Sequence, residues 1–460
     1  MNQDSISFDL GCNFDYKLFD FVDEYDKKHS ITSFFGKLKH DGLPGGRTAS
    51  IIPDFTMDQF ADYVKECQKR DITFNYLINP LSMDQNEIDP EVGKNIRDFL
   101  HTLYDMGIRA VTLNSPILIK YVKREFKDMF VTLGLYAYPT TIQHIEYWRS
   151  WGVDEITLDH GFNRKFDVLR KLLTQYKDSG LHLRVIANNL CLRECPFRLA
   201  HGCFVGHSDP DKFTMDYSLV NCAYKKVTHP AAILTAEFIR PEDVHYYREL
   251  AEETGNKNFS IKLIDRTRTT DFLHKVIKGY MTESYDGNLL DIVNWPKAKT
   301  IATIPSNAPQ AGGPPAGAPP MGAGGPPMGM PPMGAGAPPM GMPPFGAGGP
   351  PPDVPPMRWA EKLKPEAMMA YGRTMHLPKL YVDNKKLDGF LEHFINNNKC
   401  AESLCASDIL EDGQTAPNAC AYCSSWAKKV ISYDEAEVAQ WKELCGSVLK
   451  NIEDISIYNF

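Results

Sequence analysis

The sequence has 460 residues, 43% of them hydrophobic and 23% charged, which is the composition of an ordinary globular protein long enough for two or more domains. Its formal net charge of -8 argues against a protein that binds nucleic acid mainly through the phosphate backbone. No apolar run approaches the roughly 20 residues that span a bilayer, and the first residues lack a signal-peptide pattern, so we expect a cytoplasmic protein without a membrane partner.

Short β-branched or aromatic segments alternate with amphipathic segments of helical period from about residue 32 to residue 264. This alternation is typical of strand–helix units around parallel strands. Strands are predicted at residues 33–38, 49–53, 73–79, 110–114, 131–136, 155–159, 182–188 and 259–264. Helices are predicted between them, at residues 57–70, 92–106, 117–126, 141–151 and 164–178. Eight such units predict an α/β fold, a (β/α)8 TIM-like barrel.

A low-complexity segment follows from about residue 305 to residue 356, built from imperfect copies of Pro-Pro-Met-Gly with Ala and Gly between them. Its composition predicts a disordered linker with polyproline character, although its methionines could also form a surface for a partner. We therefore divide the chain into a barrel at residues 1–300, a Pro/Gly/Met-rich linker at 301–356 and a Cys-rich C-terminal extension at 357–460. In the extension, residues 379–383 predict a strand, and residues 387–394 and 426–431 predict helices.

Polar residues close several of the predicted strands. The carboxyl ends of parallel barrel strands meet at one face, where the active site of such barrels lies. A further arginine precedes a strong helix start and could bind an anion. The alternative is that each of these residues caps a helix or a turn. The predicted substrate-orienting residues are Asn79, Asp159, His160, Arg240 and Asp265.

Eight of the eleven cysteines fall into two groups, and closely spaced thiols in a reducing compartment favour metal ligands over disulfides. The central group has 3, 7 and 18 residues between successive cysteines, spacings that are wider than those of zinc ribbons and favour an iron–sulfur cluster. A mixed zinc site that includes His201 and His207 stays open. The central group consists of Cys191, Cys195, Cys203 and Cys222.

The second group consists of Cys400, Cys405, Cys420 and Cys423, with 4, 14 and 2 intervening residues. These spacings resemble a zinc knuckle about as well as a cluster site. They predict a second metal centre, zinc or iron–sulfur, that can stabilise a small extension without taking part in chemistry.

Several segments resemble a branch of the collagenase-like peptidase family of unassigned catalytic type. The resemblance covers most of residues 30–295 and the region from residue 381 to the last cysteines. Its motifs are residues 35–38 (FGKL), 75–79 (NYLIN), 188–192 (NNLCL) with Cys195 and Pro196, 238–243 (FIRPED), 285–290 (YDGNLL) and 381–384 (YVDN).

The resemblance implies a barrel whose cysteines hold a 4Fe-4S cluster, as in members that hydroxylate ubiquinone precursors or RNA bases without oxygen. Cys191, Cys195 and Cys222 match the family's cysteine positions, and Cys203 is the expected fourth ligand. We therefore expect an iron–sulfur-dependent modifying enzyme that acts on a small molecule, RNA or peptide, together with an electron-donor or partner protein. The alternatives are a peptidase, either collagenase-like or a zinc hydrolase, and a metal-stabilised binding protein whose linker recruits partners.

Overall fold

Eight parallel strands close into a barrel, which confirms the predicted α/β class and TIM-like architecture. The ring closes between the first and last strands, where Ser7 pairs with Ser260 and Leu10 with Leu263. The strands are β1 Ser7–Gly11, β2 Ile31–Gly36, β3 Thr73–Ile78, β4 Ala110–Leu113, β5 Phe130–Leu133, β6 Glu155–Thr157, β7 His182–Ile186 and β8 Phe259–Leu263.

The computed structural model describes residues 6–210, 215–295, 363–395, 400, 405 and 419–458. The linker predicted at residues 301–356 lies outside this part of the chain. None of the helices described is both long enough and apolar enough to cross a membrane.

Two strand assignments differ from the prediction. The strand predicted at residues 49–53 is wrong, because Ala49–Ile51 form a short 3-10 helix in the connection after β2. The β-branched pair Ile51 and Ile52 suggested a strand, yet β2 pairs with β1 and β3 and leaves no place for one. β1 is missing from the prediction because Asp9 interrupts its short apolar run.

Helices surround the barrel, and the five predicted ones start and end within two residues of the observed bounds. Thr56 begins the second helix with a capping box, in which its hydroxyl accepts from the Gln59 N–H at 3.2 Å. Pro116 occupies the first turn of the fourth helix, as predicted. The helices are α1 Lys17–Tyr25, α2 Met57–Gln68, α3 Val92–Asp105, α4 Pro116–Glu125, α5 Ile142–Arg149, α6 Phe166–Tyr176, α7 Arg198–Gly206, α8 Tyr217–Thr228, α9 Ala231–Thr235, α10 Val244–Thr254 and α11 Thr270–Met281.

The main hydrophobic core lies between the strands and the surrounding helices. Alternate strand residues such as Phe74 and Tyr76 belong to this core. The residues between them, such as Asn75, point into the barrel, since successive side chains of a strand face opposite sides. The barrel interior is consequently much more polar than the layer around it.

The described part of the C-terminal region consists of α12 Pro365–Thr374, β9 Leu380–Val382, α13 Glu392–Ile395, α14 Tyr422–Val430, β10 Ile431–Tyr433 and α15 Glu435–Glu453. The predicted strand at 379–383 is confirmed by β9, which pairs with β10. The helix predicted at 387–394 is wrong as a single element. A 3-10 turn at Lys385–Leu387 and α13 are separated by Gly389, whose φ of 78° is incompatible with a continuous right-handed helix. The helix predicted at 426–431 is the end of α14.

The C-terminal region packs directly on the segment between β7 and β8. Its α15 lies against α8, where the Trp441 and Tyr224 rings stack with centroids 6.4 Å apart. Its α14 lies against α9 in the same segment. The Tyr371 hydroxyl of α12 accepts a hydrogen bond from the Asp216 N–H at 2.8 Å. The β7–β8 segment therefore lies between the barrel and the C-terminal helices.

Candidate functional site

A buried ion-pair network fills the inside of the barrel beneath its mouth. The Arg184 side chain is 1% exposed, and its guanidinium lies 3.2 Å from an Asp9 oxygen and 2.9 Å from a Glu155 oxygen. Its Nη2 also donates to the Thr157 hydroxyl at 2.7 Å. Burial raises the pKa of Glu155, while Arg184 opposes this rise and Asp9 reinforces it. The network ties β1, β6 and β7 together at the level below the mouth.

Apolar side chains form a floor above this network. Phe35, Leu77, Ile186 and Ile264 make a small cluster separate from the main core. Lys262 lies beneath it, with its Nζ 3.9 Å from the centroid of the Phe35 ring. Burial holds the pKa of Lys262 well below its ordinary value. The floor separates the charged interior from the open mouth.

These interior residues are absent from the predicted site. They could have been predicted from the alternation within each strand, because one polar residue stands between two buried apolar residues. Asp9, Asn75, Arg184 and Lys262 all occupy such positions. In a strand buried on both sides, a polar residue at every second position indicates a polar barrel interior.

Asp265, predicted from the end of β8, lies between two guanidiniums at the mouth. Arg47 Nε is 3.2 Å from its Oδ1 and Arg268 Nε is 3.6 Å from its Oδ2. The Thr267 N–H and hydroxyl donate to Oδ1 at 3.2 and 2.9 Å. Burial disfavours the carboxylate, but Arg47 and Arg268 together hold the pKa of Asp265 well below its usual range. Asp265 is therefore ionised at neutral pH and fixes two cations at the mouth.

A further cationic group lies beside Asp265. Arg266 is 4% exposed, and its buried Nη2 has no hydrogen-bond partner among the described residues. Burial lowers the pKa of Arg266 to about 10, and the neighbouring Arg47 adds to the decrease. Next to it, Lys37 donates to Asp41, while burial lowers the pKa of Lys37 to about 8. A buried guanidinium with an unused N–H can donate to an anionic or carbonyl oxygen of a substrate.

Asn79 lies on the opposite side of the mouth, under the connection that follows β2. Asn114 Nδ2 donates to its carbonyl at 2.9 Å, and the side-chain oxygens of both residues lack partners in the described structure. A Cβ on Gly46 would come within 3.3 Å of Asn79 side-chain atoms and 3.2 Å of the Tyr136 ring. The connection can therefore approach Asn79 this closely because residue 46 is glycine.

Asp159 and His160, predicted from the end of β6, both contact Arg198. Its Nη1 donates to Asp159 at 2.7 Å, and its Nη2 lies 3.3 Å from His160 Nε2. Burial lowers the pKa of His160 to about 4, an effect that Asp159 partly offsets. His160 is therefore neutral at pH 7, and its Nδ1 is buried without a partner among the described residues.

Arg240, the fifth predicted residue, lies at the junction with the C-terminal region. Its Nε and Nη2 donate to the two oxygens of Asp243 at 2.8 and 2.6 Å, and its Nη1 donates to the Asn384 carbonyl at 2.9 Å. The side chain is 1% exposed. These bonds occupy the fork of the guanidinium, so Arg240 joins the barrel to the C-terminal region instead of lining the mouth.

Three of the central cysteines come together at the mouth. Cys191 and Cys195 lie in the connection after β7, and Cys222 lies on α8. Burial raises the pKa of Cys195, and the proximity of Cys222 and Cys191 reinforces the rise. Burial likewise raises the pKa of Cys191, with Lys226 opposing and Cys222 reinforcing the change.

The same thiols adjoin the rest of the mouth. Burial raises the pKa of Tyr138, and the neighbours that act on it include Tyr136, Arg198, Cys191 and Asp159. The charge of Arg47, the partner of Asp265, acts on Cys191 in turn. The structure therefore brings three of the cysteines, Asp159 and Asp265 to one end of the barrel.

Cys203 and the two histidines are placed differently. Cys203 lies in α7, and its carbonyl accepts from the N–H of His207, which ends that helix. His201 Nδ1 lies 3.0 Å from an Asp216 oxygen. Among the described residues, no three His, Cys, Asp or Glu side chains are grouped so that they could hold one metal ion. Neither a zinc site with His201 and His207 nor a single-ion site at the three thiols therefore has support in the geometry of the described residues.

The cysteines of the C-terminal group line one small cavity. Arg164, Arg193 and Glu237 complete its charged wall. Burial raises the pKa of Glu237 to about 7, although Arg164 and Arg193 oppose the rise. The four residues Cys400, Cys405, Cys420 and Cys423 are thus brought together, despite the fourteen residues that separate the second from the third.

Comparison with known proteins gives the following findings. No protein-family model matches the chain. A protein of Methanocaldococcus jannaschii named as an uncharacterized protease, MJ1657, is 26% identical over 273 residues, which are 59% of this chain and 77% of the relative. The U32 peptidase Mk0906 covers 58% of this chain and 94% of its own at 15% identity, with a TM-score of 0.41. The chain is thus similar to a protein named as a protease and to a U32, or collagenase-like, peptidase. The resemblance expected from the sequence motifs is therefore confirmed.

A further solved structure is also similar to this chain. A chitinase from Rhizomucor miehei covers 60% of the chain and 99% of its own at 9% identity, with a TM-score of 0.30.

None of the eleven cysteines forms a disulfide, so all eight grouped thiols are available as ligands.

Proposed function

We propose that this U32 relative is an iron–sulfur-dependent enzyme that hydroxylates a substrate bound at the barrel mouth without using molecular oxygen. Cys191, Cys195 and Cys222 would hold the 4Fe-4S cluster, with Cys203 as the candidate fourth ligand. The convergence of three thiols from two different elements on the mouth is the observation that carries the proposal. Thiolates are the ligands that iron–sulfur clusters require, and a cluster held by these residues would supply one-electron chemistry.

The charges around the mouth support an anionic or carbonyl-bearing substrate. Arg266 offers a buried N–H without a partner among the described residues, and Arg47 lies 70% buried beside Asp265. Asn79 and His160 each present an unpartnered polar atom within the described structure. We assign Arg266, Asn79 and His160 to substrate binding, and Asp265 and Asp159 to holding the arginines in place. The substrate classes remain those expected from the sequence, a small molecule, RNA or peptide.

The proposed reaction balances if water supplies the oxygen. A substrate C–H bond breaks and a C–O bond to a water oxygen forms, which releases two protons and two electrons. A cluster held by Cys191, Cys195 and Cys222 would supply one-electron chemistry, so a one-electron carrier protein would be the oxidant that takes up the two electrons. No dioxygen is consumed in this scheme.

A peptidase is the second candidate, because the archaeal relative is named as a protease. A cysteine nucleophile needs a lowered thiol pKa and a base. Burial instead raises the pKa of Cys191, and His201 is paired with Asp216. The geometry therefore favours a thiol that binds metal over a thiol that attacks a peptide.

The test is anaerobic purification followed by iron and acid-labile sulfide analysis of the full chain and of Cys191→Ala. Cys445→Ala is the matched control, because Cys445 is buried in α15 outside both groups. We expect Cys191→Ala to lose about four iron and four sulfide per chain while the control loses none. If Cys191→Ala kept its iron, or if the wild type cleaved peptides without iron, the proposal would be wrong.

A further inference from the structure

The cavity lined by the C-terminal cysteines has features of a ligand site of its own. Cys405 and Cys420 form an isolated backbone β-bridge. Cys423 lies in the first turn of α14, the helix that packs on α9. Cys423 Sγ lies 3.7 Å from the Leu234 carbonyl of α9. Two separate segments of the C-terminal region thus bring four cysteines to the lining of one cavity.

The wall opposite the sulfurs carries buried positive charge. Arg164 is 5% exposed, and its Nη1 and Nη2 donate to the carbonyls of Leu234 and Ala236, both at 2.8 Å. Its guanidinium also lies 5.0 Å from the Phe390 and Phe394 ring centroids. The carbonyls and rings are neutral, so the carboxylates on which Arg164 acts, Glu237 and Asp243, supply the counter-charge that a buried cation needs.

Two polar atoms of this wall are unused. Arg164 Nε and Glu237 Oε2 are buried and have no hydrogen-bond partner among the described residues. Glu237 is 6% exposed, and its other oxygen lies 3.8 Å from Arg193 Nε. A buried donor and acceptor facing a cavity of four thiols indicate that the cavity receives a polar or charged group.

The charged wall of the cavity bears on which group the four cysteines would hold. Four thiolates can bind one redox-inert zinc ion or an iron–sulfur cluster. Two arginines line this cavity, and Arg164 keeps an unused N–H. Because hydrogen bonds and charges near the cysteine sulfurs tune the potential of a cluster, this lining favours the cluster.

We propose that Cys400, Cys405, Cys420 and Cys423 bind a second iron–sulfur cluster, next to the mouth and electronically coupled to it. Four thiolates give the centre a net negative charge, which Arg164 and Arg193 offset. This site is independent of the first cluster, while the coupling rests on the proposed function.

The coupling follows from the position of Arg193. This residue stands between Cys191 and Cys195, and its side chain donates to the Cys400 carbonyl and lines the second cavity. Because two residues of chain span at most about 7 Å, the loop that holds the first pair of thiols is also a wall of the second site. A cluster there exchanges single electrons, so its partner is a one-electron carrier protein and not a hydride donor.

The experiment compares the anaerobically purified full chain with the double variant Cys420→Ser and Cys423→Ser, using Cys445→Ala as the control. Iron, sulfide and zinc are measured, and the reduced proteins are examined by electron paramagnetic resonance. We expect about eight iron per wild-type chain and the loss of half in the double variant. The reduced wild type should also show spin–spin broadening that the double variant loses.

If the double variant lost about one zinc per chain and kept all its iron, the proposal would be overturned. A double variant with the same metal content as the wild type would also overturn it. If the double variant does not fold, the reduction potentials of Arg193→Gln test the proposal instead, because this variant leaves all eight thiols in place. We expect it to keep its iron and to make the reduction potential of one centre more negative, since a nearby positive charge is removed. Unchanged potentials would contradict the proposal.

The outcome is separable from that of the first cluster. Cys191→Ala should lose the mouth cluster and keep the second one. Iron retained in full by Cys191→Ala but halved in the double variant would refute the proposed function and leave the second site standing.

Discussion

Replacing Arg184 by methionine tests the charged barrel interior. In the wild type the Arg184 guanidinium lies 3.2 Å from Asp9 and 2.9 Å from Glu155. Methionine keeps much of the side-chain length but leaves these two carboxylates buried without a cation. Removing one partner of a buried ion pair typically destabilises a protein by about 3–5 kcal/mol. Because Arg184 serves two carboxylates and is 1% exposed, we expect a loss at the upper end of this range.

The assay is urea unfolding under anaerobic conditions, followed by tryptophan fluorescence. Arg170→Met is the matched control, since Arg170 pairs with Glu253 at 2.8 Å but the two side chains are 39% and 54% exposed. An exposed pair of this kind contributes about 0–1 kcal/mol. Adding Asp9→Asn and Glu155→Gln to Arg184→Met should restore part of the stability, because the uncompensated charges disappear.

The pH dependence gives a second readout. In Arg184→Met the folded-state pKa of Glu155, already raised by burial, rises further because its cation is gone. A carboxyl group with a raised folded pKa stabilises the fold below its unfolded pKa of about 4.3, and this contribution is lost as the pH rises through the folded pKa. The deficit of the variant should therefore shrink as the pH falls from 7 toward 4. A deficit no larger than that of Arg170→Met, or one independent of pH, would refute the reasoning.

Three further outcomes are expected. Cys222→Ala should lose about four iron per chain, whereas Cys203→Ala tests the fourth-ligand assignment: iron analysis showing full retention would remove Cys203 from the ligand set. Arg240→Lys should lower the free energy of unfolding by about 1.5–3 kcal/mol, because lysine cannot replace the two parallel bonds to Asp243, and an unchanged urea midpoint would contradict this. The stability of the wild type should fall between pH 6.5 and about 4, because the unfolded chain protonates its histidine before the folded chain protonates His160, and the slope should be smaller in His160→Gln.

The barrel could be predicted from the sequence because the strand residues that face the surrounding helices are apolar in strand after strand. The number of strands came out correctly only because two errors compensated. Ile51 and Ile52 are β-branched but have no neighbouring strand with which to pair. Asp9 interrupts the apolar pattern of β1, and its charge is neutralised by Arg184 on β7, two strands away around the barrel. A local pattern cannot show a partner 175 residues away.

In the candidate site too, residues placed by strand ends could be predicted, and residues placed by distant contacts could not. Asn79, Asp159 and Asp265 follow strands directly, so their place at the mouth could be inferred from strand ends. Arg240 also follows an apolar segment, but its role is set by Asn384, which lies 144 residues further on. The wall of the second cavity was beyond prediction for the same reason, since Arg164 and Glu237 meet the C-terminal cysteines only after folding.

The packing of α14 on α9 and of α15 on α8 has an evolutionary consequence. Leu234 and Tyr224 are covered by elements encoded more than 180 residues later, so a gene that lost its last hundred codons would expose them to water. The segment between β7 and β8 and the C-terminal helices should consequently be inherited together. Shorter homologues are expected to carry polar residues at the positions of Leu234 and Tyr224, and a smaller, neutral residue at that of Arg164.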